Sequence, residues 1–200
     1  MTQVTQQESN VQVINSITLD YRQYLSSDEI NEIEHEVSIM ETREAAGIEA
    51  LKIIQLRRGW VSDDSLLAIS QLLKISTAQL EGVATFYNLI YRQPVGHYVI
   101  HICDSISCHL LGYSEVLEAI KSHLDIDYGQ TTSDGVFTLL SNVCLGGCDK
   151  APVMMIADKH YEYLTPAKAV AIINGLSQSL PPTSTPPEKS NVQTLTKEGE

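Results

Sequence analysis

The sequence is poor in several residue types, and their scarcity narrows its possible functions. It contains one tryptophan, two phenylalanines and only four cysteines in 200 residues. No apolar run approaches the roughly 20 residues that a membrane-spanning helix needs, so direct membrane insertion is not expected. Residues 1–20 lack a basic stretch followed by an apolar one, so no secretion signal is predicted. We therefore expect a reducing compartment, in which structural disulfides are disfavoured.

Positive charge is also scarce. Thirteen Lys and Arg residues stand against 25 Asp and Glu, which gives a formal net charge of −12. Such a chain repels the phosphates of nucleic acid and the surface of anionic lipid, so neither is an expected partner. The sequence has no Gly-rich dinucleotide fingerprint and no phosphate loop. It also lacks the Cys-x-x-Cys dithiol that would favour a thiol–disulfide enzyme, a class that we consider only as a minor alternative.

The cysteines form two close pairs. Cys103 and Cys108 enclose four residues, Cys144 and Cys148 enclose three, and 35 residues separate the pairs. Structural zinc sites mostly use shorter Cys-x2-Cys knuckles, and plant-type ferredoxins use a different spacing. Two separate loops with two thiolates each suit a [2Fe–2S] cluster, with two sulfurs for each iron. The spacing favours this cluster and leaves a zinc site, a disulfide or inert thiols as alternatives.

The second pair encloses two glycines, Gly146 and Gly147. Glycine adopts positive φ angles and allows a close backbone approach, so the N–H groups of this loop can point at cluster sulfurs. Such hydrogen bonds tune the reduction potential of an iron–sulfur centre. A plain glycine turn between strands is the alternative interpretation.

The cysteine motifs carry a family resemblance. The segments CDSISCH (103–109) and CLGGCDKAP (144–152) resemble the thioredoxin-like [2Fe–2S] subunit of bacterial NADH:quinone oxidoreductase, which is the E subunit of respiratory complex I. Further segments agree with the family in the same order, from about residue 29 to about residue 175. They are RGWV (58–61), EGVATFY (81–87), RQPVG (92–96) and TSDGVFTL (132–139).

This resemblance implies a cofactor, partners and a location. It implies one [2Fe–2S] cluster on Cys103, Cys108, Cys144 and Cys148, which exchanges single electrons and has no substrate site of its own. NADH and FMN would be bound by a flavoprotein subunit, beside which the large iron–sulfur subunit of the peripheral arm is a further partner. The complex would hold the chain on the cytoplasmic side of the inner membrane.

Composition and hydrophobic periodicity together divide the chain into four predicted segments. Residues 1–26 form a flexible arm, 27–93 a small helical bundle, 94–176 a thioredoxin-like domain with the order β-α-β-β-α, and 177–200 a disordered tail. The fold class is therefore α/β. The first two strands end at the cysteine pairs, which places both pairs at one edge of the sheet. The last helix is expected to end near Asn174, before Gly175.

Several residues and functions remain as alternatives. His101 and His109 flank the first pair, but four cysteines make a Rieske role for them superfluous. Met154 and Met155 are expected to be strand residues, and at least one of them lies in the core. Trp60 and the pair Phe86–Tyr87 are candidates for packing between the bundle and the sheet, or for partner contacts. A zinc-stabilised interaction protein and the equivalent subunit of an NAD-linked hydrogenase or formate dehydrogenase are the competing functions.

Overall fold

A computed structural model describes residues 20–179 of the chain. Most of the predicted flexible arm and disordered tail lies outside the described residues. The end of the arm that is described is packed, because Tyr21–Gln23 form a 3-10 turn and Leu25 is buried. The predicted boundary of the flexible arm at residue 26 therefore lies too far along the chain, because the packed structure already begins at Tyr21.

The first half of the described chain consists of four helices, as the periodicity predicts. They are α1 (Ser27–Ile39), α2 (Gly47–Arg58), α3 (Asp63–Leu73) and α4 (Thr77–Phe86). Their apolar faces meet in one core, in which Ile33, Leu51, Ile54, Ile69 and Leu80 are fully buried. This burial supplies the main stabilisation of the bundle, because short helices are marginal in isolation.

Serine side chains begin three of these helices. Ser62 and Ser76 accept hydrogen bonds from backbone N–H groups in the first turns of α3 and α4. The cap of α1 is Ser26, whereas the sequence pattern predicts Ser27. Ser26 and Glu29 bond reciprocally in a capping box, which satisfies two N–H groups, so the chain begins the helix one residue earlier.

The second half forms a four-stranded sheet flanked by helices. Its elements are β1 (Tyr98–Cys103), α5 (Ile106–Leu110), α6 (Tyr113–Leu124), β2 (Phe137–Asn142), β3 (Met154–Ile156), β4 (Lys159–Tyr161) and α7 (Pro166–Ser179). The strand order is β2-β1-β3-β4. Strand β1 pairs with β2 in parallel and with β3 antiparallel, and β3 pairs antiparallel with β4. A parallel pair needs a crossover, which α5 and α6 provide.

The sheet has its own core, separate from that of the bundle. Ile100 and Ile102 of the central strand β1 and Leu139 of the edge strand β2 are fully buried against α6 and α7. Helix α7 passes through Gly175 and ends at Ser179, so the predicted end near Asn174 is wrong. Leu176 packs on the core, and this contact offsets the roughly 1 kcal/mol that a glycine costs inside a helix.

Candidate metal centre

The parallel pairing of β1 and β2 brings the two cysteine pairs together. Cys103 is the last residue of β1 and is in register with Asn142, the last residue of β2. The Asp104 N–H donates to the carbonyl of Asn142 at 3.1 Å, which continues the ladder to the edge of the sheet. Cys144 follows two residues after Asn142, and the Sγ atom of Cys103 lies 3.9 Å from the carbonyl oxygen of Val143. Both motifs therefore meet at one edge, as predicted.

The four thiols differ in burial. Cys103 and Cys108 are 2% and 0% exposed and pack with Ala151 and Val153. Cys144 and Cys148 are exposed, and their Sγ atoms lie 3.8 Å apart. The site thus has a buried half that faces the protein and an open half that faces solvent.

Hydrogen bonds and neighbouring thiols shift the pKa values in the buried half. Burial opposes ionisation of Cys103, but hydrogen bonds from the Ser105 hydroxyl, 3.2 Å away, and from backbone N–H groups lower the pKa of its thiol. One of these N–H groups belongs to Leu145, in the loop of the other pair. Burial raises the pKa of Cys108 to about 11, and the adjacent Cys103 adds to this.

In the open half, the neighbouring Cys144 thiol raises the pKa of Cys148, and Cys103 of the first pair contributes in the same direction. The Gly146 N–H donates to Cys144 Sγ at 3.4 Å from a backbone with φ of +77°. This contact agrees with the role predicted for the glycine loop. Gly147 has a different role, because a Cβ there would lie 3.1 Å from Cγ2 of Val153.

The donor set fits a two-iron cluster. The four thiols form two pairs at one edge of the sheet, and N–H groups of Leu145 and Gly146 are directed at their sulfurs. Two pairs of thiolates with amide hydrogen bonds are the arrangement that a two-iron cluster uses.

The histidines near the first pair have no direct place in this set. His101 is buried on β1, where its Nε2 bonds the Tyr91 hydroxyl, and burial lowers its pKa to about 4. His109 is exposed on α5. Met154 is fully buried on β3 and Met155 is partly buried, so the prediction of strand residues is confirmed.

The three aromatic residues singled out in the bundle differ in their exposure to solvent. Phe86 is 77% exposed and Tyr87 is 48% exposed, so packing between bundle and sheet is the wrong interpretation for these two rings. Trp60 is partly buried. No local pattern predicts that Tyr113 and Tyr128 bond beside the site, because they lie 15 positions apart in the sequence.

Comparisons with known proteins identify the family. The model of the thioredoxin-like [2Fe-2S] ferredoxin family matches residues 7–177. The E subunit of NADH-quinone oxidoreductase from Escherichia coli K12 is 52% identical over 142 residues, which cover 71% of this chain and 86% of that protein. The E subunit from Pseudomonas aeruginosa is 52% identical over 134 residues, covering 67% and 81%.

A solved structure is similar in fold. The crystal structure of an NAD+-reducing [NiFe]-hydrogenase in the air-oxidized state aligns with a TM-score of 0.56 at 23% identity, over 66% of this chain and 23% of that one. None of the helices in residues 20–179 has the length and apolar character of a membrane span. The matches confirm the predicted fold class and family resemblance. The chain belongs to the thioredoxin-like [2Fe–2S] ferredoxins, and among them to the family of NADH-quinone oxidoreductase E subunits.

Proposed function

We propose that this chain is the electron-transfer E subunit of an NADH-quinone oxidoreductase, with Cys103, Cys108, Cys144 and Cys148 as the ligands of one [2Fe–2S] cluster. The carrying observation is that the ends of β1 and β2 bring both thiol pairs to one edge of the sheet. A cluster bound there would supply one-electron transfer. Cys103 and Cys108 would hold its buried side, and Cys144 and Cys148 its open side.

The protein around the thiols supports a role that needs a partner. Leu145 and Gly146 direct N–H groups at the sulfurs, and the Ser105 hydroxyl contacts Cys103. These donors stabilise negative charge on the sulfurs. We assign NADH oxidation to a partner subunit that carries FMN, as the family resemblance implies.

The surface next to the open pair fits a partner. Five large apolar side chains on or near the segments that carry the cysteines are 60–74% exposed: Ile106 and Leu110 of α5, Leu111 after it, Val143 and Tyr163. We call these five residues the apolar rim. Exposed apolar surface is typical of protein–protein contacts. We assign the rim to the FMN-carrying subunit, because Ile106 lies between two of the cysteines and Val143 directly precedes Cys144.

The assembly would also determine the location. The large iron–sulfur subunit of the peripheral arm is the second partner that we assign. Attachment through these subunits would hold the chain on the cytoplasmic side of the inner membrane. Copurification separates this assignment from the hydrogenase or formate dehydrogenase alternative, since the subunits recovered with the full chain differ.

The cofactor is tested on the full chain purified without oxygen. About two irons and two sulfides per chain are expected, with a rhombic EPR signal after dithionite reduction that Cys144→Ser abolishes. One zinc, no sulfide and no signal would overturn the proposal in favour of a zinc-stabilised protein.

The partner surface is tested separately. Leu110→Asp in the apolar rim should keep the cluster but lose copurification with the flavoprotein subunit, because a carboxylate would be desolvated at the contact. Ile39→Asp, which changes an exposed apolar residue of α1, is the matched control and should retain the partner. Retention of the partner by Leu110→Asp would show that the rim is not the contact.

A further inference from the structure

Two tyrosines join directly beside the buried half of the site. Tyr113 is the first residue of α6, and Tyr128 lies in the loop that follows this helix. Their hydroxyl oxygens are 2.5 Å apart, which is a short hydrogen bond between two phenols. Both side chains are half-buried. The bond therefore ties the start of α6 to the loop at its far end.

One member of the tyrosine pair lies against the buried thiols. Tyr113 packs on the buried group formed by Cys103, Cys108, Ala151 and Val153. Tyr128 lies close enough to the Asp104 carboxylate for its charge to act on the phenol. Burial raises the pKa of Tyr128 well above its usual range, and Tyr113 and Asp104 add to this. Tyr128 thus stays protonated and can maintain the bond.

Tyr113 lies on the buried side of the site. The cysteines in the group on which it packs, Cys103 and Cys108, are buried, whereas Cys144 and Cys148 are exposed to solvent. Solvent exposure is one of the properties that determine the reduction potential of an iron–sulfur centre. Water stabilises the more negatively charged, reduced state, so exclusion of water lowers the potential.

The loop that carries Tyr128 has other anchors. The Gly129 N–H donates to the carbonyl of Leu139 at 2.8 Å, and Lys121 pairs with Asp127 at 3.1 Å. Loss of the hydrogen bond between the phenols should therefore leave the fold in place and increase only the mobility of the two rings. Variants that lack this bond can then test its effect on the cluster without unfolding the protein.

We propose that the Tyr113–Tyr128 hydrogen bond is a positioning device that holds the Tyr113 ring over Cys103 and Cys108 and thereby keeps water from that side of the cluster. Neither residue ligates the cluster or binds substrate in this role. Each acts through the position of the other. The inference rests on the proposed function, because it concerns the cluster that the four cysteines hold.

The test measures the reduction potential of the full chain with its cluster, by EPR-monitored redox titration of Tyr113→Phe, Tyr128→Phe and the double variant. Phenylalanine keeps each ring and removes the bond. We expect each single variant to raise the ratio of reduced to oxidised cluster at a fixed solution potential about tenfold, which is about 59 mV for one electron. The double variant should shift by no more than either single variant, because one bond is lost in all three.

Tyr98→Phe is the matched control. Tyr98 is also half-buried, but it lies at the other end of β1 and stacks on Phe137. Its variant should keep the wild-type potential. Unchanged potentials in both single variants, or shifts that add in the double variant, would overturn the inference. The absence of iron and sulfide from the wild-type chain would instead overturn the proposed function, so the two failures are distinguishable.

Discussion

The Tyr91 hydroxyl lies 2.9 Å from Nε2 of His101, and the two rings stack with their centroids 5.9 Å apart. Tyr91 belongs to the connection between the bundle and the sheet. Its backbone N–H donates to Gln55 of α2 at 2.6 Å, and its carbonyl accepts from the Val61 N–H at 2.8 Å. One residue therefore bonds both the helical bundle and the strand that ends at Cys103.

Replacing Tyr91 by Phe should destabilise the protein. The change leaves Nε2 of a 2% exposed histidine without its partner, and Nδ1 of the same ring has no hydrogen-bond partner among residues 20–179. An unsatisfied buried polar group costs about 1–3 kcal/mol, so the free energy of unfolding should fall by that amount in a urea titration. Tyr163→Phe, at an exposed tyrosine, should leave the value unchanged. Equal stability of both variants would contradict the role of the Tyr91–His101 bond.

Two similar ion pairs between α1 and α2 should contribute very differently. Glu29 is 3% exposed, accepts two hydrogen bonds from Arg58 and also caps α1. The side chain of Glu32, paired with Arg57, is 51% exposed. Glu29→Gln should cost about 3 kcal/mol, because it leaves a partly buried guanidinium without its counter-charge, whereas Glu32→Gln should cost less than about 1 kcal/mol. Chemical denaturation of both variants measures this difference, and similar losses would be the contrary result.

The Glu29–Arg58 pair should also make stability depend on pH. Burial alone would raise the pKa of Glu29, but Arg58 and the Ser26 N–H outweigh burial and lower it from 4.5. A lowered folded-state pKa means that the contribution is complete above pH 4.5 and is lost as the pH falls through the folded value. The stability difference between wild type and Glu29→Gln should therefore stay constant from about pH 7 to pH 4.5 and narrow as the pH falls further, to about pH 3.5. A difference that stays constant down to about pH 3.5 would show that the carboxylate charge is not responsible.

Two glycines should respond to alanine with opposite signs. A Cβ at Gly96 would lie 2.9 Å from backbone atoms of Val136, next to the start of β1. Gly96→Ala should force the strands apart and lower the melting temperature, by several degrees for a loss of about 1–3 kcal/mol. A Cβ at Gly82, inside α4, would have no atom of residues 20–179 within 4 Å apart from its own chain neighbours and helix backbone, so Gly82→Ala should stabilise by up to about 1 kcal/mol. Calorimetry of both variants checks the signs.

Local patterns predicted most of the elements. Ser62 and Ser76 cap the starts of α3 and α4 and Gly59 the end of α2, and such caps are local signals because they depend on neighbours within a few residues. The wrong boundaries arise where distant packing competes with such local signals. Leu176 reaches the core of the sheet, and α7 therefore continues through Gly175.

The meeting of the two cysteine pairs at one edge of the sheet could be predicted without coordinates, because the pairs follow segments whose sequence predicts strands. The sequence does not predict which of the two cysteine pairs is buried, since burial depends on the residues that pack on Cys103 and Cys108 in the folded chain. The joining of Tyr113 to Tyr128, and of Tyr91 to His101, likewise appears only in the folded chain. These contacts follow from how α6 and the interdomain connection lie against β1, and no local propensity encodes such long-range placement.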